Sequence, residues 1–321
     1  MKALEVRNKQ LSFTQRPMPL VGAGQLLVKI NAIGINRADL LQVAGKYPPP
    51  KGESDIPGLE VSGEVVELGE GVTDFSVGES VFGLVAGGGY AEYVVIHAGH
   101  AIKKPNRLSD EEAASIAETF LTVCQAFFIV GNLQQGGNVF IHAGASGIGS
   151  AAIQLAKAFN CQVTVSVSSQ AKADYCAQLG ADNTIVYTKQ DVLATASSFS
   201  NTGYDFVLDV VAGNMLNTNV ELLARDGEIV VLAMLSGRYC EQFDIAKLLL
   251  KRGSVKASTL RNRSDQYKTE LVSLFKQRCL PLFEQQVLKP TVHQVAAWQD
   301  MKQLHEVMAH NQNLGKLVAH I

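Results

Sequence analysis

The stretch NVFIHAGASGIGSAAIQLAKAF, residues 138–159, constrains this chain more than any other. A short apolar run passes through a Gly/Ser turn into an alanine-rich segment whose apolar residues recur at helical spacing. A strand entering a helix through such a turn admits two chemistries. A nucleophile elbow sets a serine between glycines as G-x-S-x-G, but two residues after Ser146 stands Ile148, so that match fails. The dinucleotide fingerprint G-x-G-x-x-G is met by Gly144 and Gly149, with Ser146 in the middle glycine's place and Gly147 beside it. On this reading Ala145, Ser146, Gly147, Ile148 and Gly149 form a phosphate seat, with backbone N–H groups and the positive end of the helix dipole facing the anion.

The flanking sequence favours the phosphate seat. From Val139 the segments VFIHA, SAAIQLAKAF, QVTVSVS, KADYCAQLG, TIVY, FVLDVV, NMLNTNVELLA, EIVVLAML, IAKLLLKRG and SVKAST alternate strand and helix signals. Continuous apolar strands between amphipathic helices imply a doubly wound parallel sheet of the α/β class. Residues 1 to about 117 read differently, as short Val/Ile-rich strands bounded by Gly and Pro, which predicts a β-rich or barrel-like first domain. Between the two, SDEEAASIAETF carries Ser109 and Glu112 at capping-box spacing, which predicts a helix start close to the domain boundary.

The second strand bears on the choice of dinucleotide. An NAD site usually ends this strand in Asp or Glu, which holds the ribose 2′-hydroxyl. Here VSVSSQAK places Ser166, Ser168 and Ser169 where a carboxylate would repel a 2′-phosphate, and Lys172 follows. NADPH is therefore the expected cofactor. The alternative for Lys172 is an exposed lysine that only solvates the start of a helix.

Composition removes several classes. The 28 basic and 30 acidic residues are intermixed, for a net charge of −2, and no basic patch suited to nucleic acid is present. Cys124, Cys161, Cys176, Cys240 and Cys279 form no C-x-x-C pair and read as reduced structural thiols. The start MKALEVRNKQ lacks an apolar signal core, and no uninterrupted apolar run approaches the roughly 18 residues of a membrane span, so a cytoplasmic protein is expected. His142, on the strand before the turn, reads as a hydrogen-bonded core residue.

The segments GINRADLLQVAGKYPPP, GLEVSGEVVELG, GGGYAEYV, IHAGASGIGSAAIQLAK, LLLKRGSVKAST and NLGKLV, in this order, resemble the medium-chain dehydrogenase/reductase superfamily. The resemblance is greater to its zinc-free quinone oxidoreductase branch, which includes zeta-crystallin, and LLLKRGS with LRNRSDQYK points to the tumour-suppressor-induced quinone reductase subgroup. It implies a Rossmann-type NADPH-binding domain at 118–261 and a GroES-like catalytic domain at 1–117 completed by 262–321. Zinc-dependent relatives ligate metal through a cysteine where this chain has Asn36 and through the histidine of G-H-E where it has Gly58-Leu59-Glu60. Without that Lewis acid the implied substrates are electron-poor acceptors, quinones or conjugated carbonyls, held between the domains.

By the same resemblance Asn36 and Tyr47 lie by the nicotinamide, with Asp39 supporting their loop. Tyr47 could stack, donate a proton, or only pack its proline-rich turn. Thr122 matches a threonine beside the carboxamide, with bonding back to its own helix as the alternative. Tyr187 matches a residue of the adenosine phosphate pocket, with core packing as the alternative, and Leu235 approaches the nicotinamide edge through main chain. The implied activity is NADPH-dependent quinone reduction. Enone or 2-enoyl thioester reduction and an NADPH-binding, crystallin-like structural role are the alternatives, and SVKAST is the implied homodimer edge.

Overall fold

A computed structural model describes all residues, Met1–Ile321. The chain forms two compact units: Met1–Leu121 with Leu260–Gln286 and Pro290–Ile321, and Thr122–Thr259 with Val287–Lys289.

The first unit is built on β1 (Lys2–Arg7), β2 (Gln10–Gln15), β3 (Gln25–Ile35), β4 (Glu60–Leu68), β5 (Ser80–Leu84), β6 (Tyr93–His97) and β7 (Ala101–Lys103). Two strands from the far end of the chain, β14 (Val292–Ala297) and β15 (Lys316–His320), complete its sheet in the order β14-β15-β3-β4-β5-β7. The long β3 is the spine. Its first half pairs with β6 and its second half with β15, while β4 runs along its other edge. A register shift between Ile30 and Ala32 bends the β3–β4 ladder, and at this bend a Cβ on Gly63 would stand 2.0 Å from the Lys29 carbonyl oxygen. The apolar face of this sheet buries Val28, Ile30, Ile33, Val61 and Val81, with Trp298 and Leu304 packed in the same core.

Helices α1 (Arg37–Val43) and α2 (Asp110–Ala113) also belong to this unit, with the first residues of α3 (Ala117–Gln125). The capping box of Ser109 and Glu112 opens α2 as its spacing predicts, but a turn at 114–116 separates α2 from α3. The stretch Asp110–Val130 is long and apolar enough by composition to cross a membrane, although Glu118 and the turn at 114–116 interrupt it, so that no uninterrupted apolar run of that length is present. Of its apolar 18-residue window 78% is buried within the fold, as in a core helix.

The second unit carries β8 (Asn138–His142), β9 (Gln162–Val167), β10 (Asn183–Val186), β11 (Tyr204–Asp209), β12 (Leu223–Val231) and β13 (Ser254–Ala257). Its helices are α4 (Gly147–Ala158), α5 (Gln170–Gln178), α6 (Val192–Phe199), α7 (Met215–Leu222) and α8 (Ile245–Leu250). All six strands are parallel, in the order β10-β9-β8-β11-β12-β13. Strand order therefore reverses between β8 and β11, the Rossmann arrangement with its switch point at the carboxyl ends of those strands. Val287–Lys289 belongs to this unit, and the Gln154 amide holds Lys289 by both its backbone groups, accepting from its N–H at 2.9 Å and donating to its carbonyl at 3.1 Å. The remaining helices, α9 (Asp265–Arg278), α10 (Leu280–Glu284) and α11 (Met301–Ala309), lie with the first unit.

Candidate active site

At the switch point of the second unit, β8 ends in His142 and α4 begins at Gly147. Ala143 takes the left-handed φ of 53°, which turns the chain sharply off the strand. Ser146 caps α4, its Oγ accepting Gly149 N–H at 3.0 Å. A Cβ on Gly149 would lie 2.4 Å from the Ala143 carbonyl oxygen and 2.5 Å from that of Gly144, so only glycine fits this approach. The product is a twelve-residue helix with its amino terminus set against the switch point, a seat for a pyrophosphate.

Ser169 caps α5 in the same way, accepting Lys172 N–H at 3.4 Å. Neither Asp nor Glu stands between the end of β9 and α5, where a carboxylate would exclude a 2′-phosphate. Ser166 is a correction to the sequence reading. It is buried and its hydroxyl is bonded to His142 Nδ1 at 2.8 Å, because strand alternation turns it into the core beside β8. His142 Nε2 in turn meets Asn219 Oδ1 at 2.7 Å, and Asn219 donates to Asp209 Oδ2 at 2.8 Å. Asp209 Oδ1 accepts the N–H groups of Val211 and Ala212, which fixes the loop leaving β11 at the switch point.

Tyr187 follows β10 and is 51% exposed, which removes core packing as its role. Leu235 is exposed, and its N–H is occupied by the Val210 carbonyl at 3.2 Å, so its carbonyl is the main-chain group left to meet a ligand. Thr122 is buried, with no partner for Oγ1, and it does not bond back to its helix. A buried hydroxyl without a partner is costly unless a ligand supplies one. This orphan, the glycine cradle and the missing acid together fit a phosphorylated dinucleotide.

A different site lies in the first unit. At the end of β3, Asn36 opens α1, and Asp39 Oδ2 reaches back to accept Asn36 N–H at 2.7 Å. Asp39 Oδ1 accepts Gly58 N–H at 3.2 Å, so one carboxylate ties two loops. Gly58 has φ of +100°, and a Cβ there would meet Tyr90 and Gly89 at 2.7 Å. Burial pushes the Asp39 carboxyl up to about 6, against the pull of these hydrogen bonds and of Lys316.

Asn36 was expected beside the nicotinamide, but its side chain has partners within the unit. Nδ2 donates to Glu60 Oε1 at 2.9 Å, and Oδ1 accepts from Lys316 Nζ at 2.7 Å. Lys316 is buried against Glu60 and also donates to the Ile35 carbonyl at 2.8 Å. Gly34 makes room for this pair, since a Cβ there would meet Glu60 Oε1 at 2.5 Å. The second oxygen of Glu60 accepts Glu118 N–H at 2.9 Å. The Glu118 side chain receives no hydrogen bond and lines a cavity of about 90 Å³ together with Leu59, Ala86, Leu260 and Arg261. Burial first, then the nearby Glu60, raises the Glu118 carboxyl to about 8.

Tyr47 does not line this cavity itself; half-buried, it has its ring 5.3 Å from the guanidinium of Arg261, which does. Burial raises the Tyr47 phenol, as does Glu118, while Arg261 opposes them. Arg261 is itself buried and donates only to neutral oxygens: Ala86 O at 2.7 Å, Gln42 Oε1 at 2.7 Å and Tyr47 O at 3.4 Å. Glu118, Arg261 and Lys316 were not singled out from the sequence. Only Glu60 carried a signal, the G-x-E spacing after Gly58.

Residues 147–277 match the zinc-binding dehydrogenase family and residues 22–106 the alcohol dehydrogenase GroES-like domain. The chain belongs to the medium-chain dehydrogenase/reductase superfamily and is an oxidoreductase of that group. Among relatives, the zebrafish (Danio rerio) synaptic vesicle membrane protein VAT-1 homolog is 29% identical over 313 residues, 94% of this chain and 65% of that one. Mouse (Mus musculus) prostaglandin reductase-3 is 35% identical over 223 residues, 69% of this chain and 58% of its own length. The chain thus spans less than two thirds of either relative. Among solved structures, a Pseudomonas syringae pv. tomato quinone oxidoreductase aligns with TM-score 0.88 at 25% identity, covering 100% of this chain and 99% of the other. A mycobacterial protein complexed with NADPH aligns with TM-score 0.86 at 28% identity over 100% of both chains.

Proposed function

We propose that this protein is an NADPH-dependent reductase that works without a catalytic metal and whose acceptor is a quinone or a related conjugated carbonyl. The observation that carries the reading is the Rossmann turn at Gly144–Gly149 combined with a second strand that ends in serines and is followed by Lys172 in place of an acid. Ser146 and the α4 amino terminus hold the pyrophosphate, Ser169 and Lys172 hold the 2′-phosphate, Thr122 Oγ1 binds the carboxamide, and Tyr187 lines the adenosine side. When bound, the nicotinamide supplies hydride. The protein orients the acceptor, excludes water and handles the accompanying proton.

Asn36 and Leu59 stand where zinc-dependent relatives carry ligands, and no group of three or more His, Cys, Asp or Glu is placed to hold a metal ion. The names of the quinone oxidoreductase and prostaglandin reductase relatives add support for an electron-poor carbonyl acceptor. The unpaired outer edge of β13 is proposed to pair with a second copy in a homodimer. Steady-state assay of quinones, enones and enoyl thioesters with NADPH and with NADH tests the reading. Quinone turnover with NADPH is expected to lead. Dominant enoyl thioester turnover would move the substrate to the enoyl class. Tight NADPH binding with no oxidation by any acceptor would favour a structural role.

A further inference from the structure

The mechanism above leaves unassigned the group that protonates the reduced acceptor. In the first unit the carboxyl groups of Asp39, Glu60 and Glu118 are gathered around two cations, Lys316 and Arg261. Lys316 is committed to Glu60, Asn36 and the Ile35 carbonyl, and Asp39 is committed to two backbone N–H groups. Glu118 alone among the three has no hydrogen bond to its carboxyl, and it faces the cavity. Three carboxylates around two cations in a low-dielectric pocket favour retention of a proton, and the carboxyl with the fewest donors keeps it.

We propose that Glu118 is the general acid of this oxidoreductase, delivering the proton that accompanies hydride to an acceptor bound in the first unit's cavity. The inference rests on the reductase reading above. Hydride, two electrons and one hydrogen nucleus, which a bound reduced nicotinamide would supply, would leave the acceptor as an anion, a hydroquinone monoanion or an enolate. The Glu118 O–H bond breaks as a new O–H bond forms on the hydroquinone oxygen, or a C–H bond on the enolate carbon. Glu118 is left as carboxylate and regains a proton from solvent through the cavity. Tyr47, held by Arg261, then serves to position the acceptor.

The groups that act most strongly on Glu118 are Glu60 on β4, Asp39 on α1, Lys316 on β15 and Arg261 beyond Leu260, with Tyr47 in the loop after α1, and the cavity is also lined by Glu53, His97, His100, Asp265 and Lys268. The two negative neighbours and burial hold the proton on, and the two cations favour its release. A carboxyl raised to about 8 is thus protonated at neutral pH and close to the working pH that general acid catalysis favours.

The test begins with infrared titration of the protein without cofactor. A carboxylic C=O band that loses intensity around pH 8 in the wild type is expected to vanish in Glu118→Gln. If no carboxyl titrates above neutrality, or if the band persists in Glu118→Gln, the proposal fails whatever the turnover. Activity then separates the proposal from the reductase reading. Glu118→Gln is expected to lose roughly 10²-fold in kcat with little change in KM, together with the alkaline fall of the wild-type pH profile. Glu118→Asp, which keeps the acid, is expected to retain that fall and recover part of the rate. Equal impairment of Gln and Asp variants with an unchanged profile would overturn the proposal. A wild type that shows the infrared titration but oxidises no NADPH with any acceptor would instead sink the reductase reading.

Discussion

The two candidate sites, one in each unit, handle polar groups in opposite ways. In the second unit's site the two caps are local and neutral: Ser146 bonds Gly149 and Ser169 bonds Lys172, each three residues on, and the proposed phosphate seat is made largely of backbone. In the first unit's site Asn36, Asp39, Glu60, Glu118, Arg261 and Lys316 come from widely separated segments to build one polar and charged cluster, buried except at the partly exposed Glu118. The contrast teaches that recognition of an anion needs only a correctly shaped turn, because helix N–H groups carry the favourable potential. Control of a proton needs ionisable groups removed from water, and these are stable only when assembled with their counter-charges.

Removing a counter-charge is the strongest way to break this contrast. Lys316→Met leaves Glu60 buried without its cation and is expected to cost about 3–5 kcal/mol of folding stability, read by urea denaturation. A change under about 1 kcal/mol would mean that the cluster does not depend on its ion pair. Gly149→Ala attacks the other unit by driving a methyl into two carbonyl oxygens. About 1–3 kcal/mol of stability should be lost, with NADPH affinity falling further than that of a surface control, by fluorescence titration. Normal NADPH binding in that variant would remove the turn from the cofactor site.

Tyr47 variants give a smaller effect and sharpen the division of labour. Tyr47→Phe keeps the ring over Arg261 and should lower quinone turnover less than about tenfold, about 1.4 kcal/mol of barrier, while Tyr47→Ala should lower it more. Equal loss in the two would make the hydroxyl essential. The smallest effect is in stability against pH. The folded-state carboxyl of Glu118 is raised to about 8, so the folded protein holds a proton that the unfolded chain has released, and stability should fall as pH rises from the ordinary carboxyl range to about 8. Asp39, raised to about 6, acts in the same direction at lower pH. His100 and His305 are depressed to about 4 by burial and oppose this trend below pH 6.5, because the unfolded chain binds their protons there. The melting temperature should therefore decline between about pH 6.5 and 8, and Glu118→Gln should flatten the decline. A slope unchanged in that variant would assign it to another group.

How far the sequence reveals each unit follows from the same contrast. The strands and helices of the second unit announce themselves by period and by turns a few residues long, and the Gly144–Gly149 seat is contiguous. Ser166 misled because a hydroxyl near the strand end reads the same whether it faces ligand or core, and only the partner His142, 24 residues away, decides it. In the first unit the helix α1 hides in a Gly- and Pro-bounded loop, and the break at 114–116 divides a helix that its capping box correctly starts. Glu118 meets Glu60 across 58 residues, and Lys316 meets it across 256. No local pattern encodes such pairings. The position of Asn36 is legible, but its commitment to Lys316 and Glu60 is a tertiary fact.

The central claim is a phosphorylated nicotinamide cofactor on a turn that lacks the acid of NAD sites. Equilibrium titration with NADPH and NADH at one fixed salt concentration, on the wild type and on Lys172→Ala, tests it most directly. NADPH should bind the wild type at least about tenfold more tightly, and Lys172→Ala should lose about 1–3 kcal/mol for NADPH with NADH nearly unchanged. Equal affinity of the wild type for the two cofactors, or equal weakening of both in the variant, would contradict it.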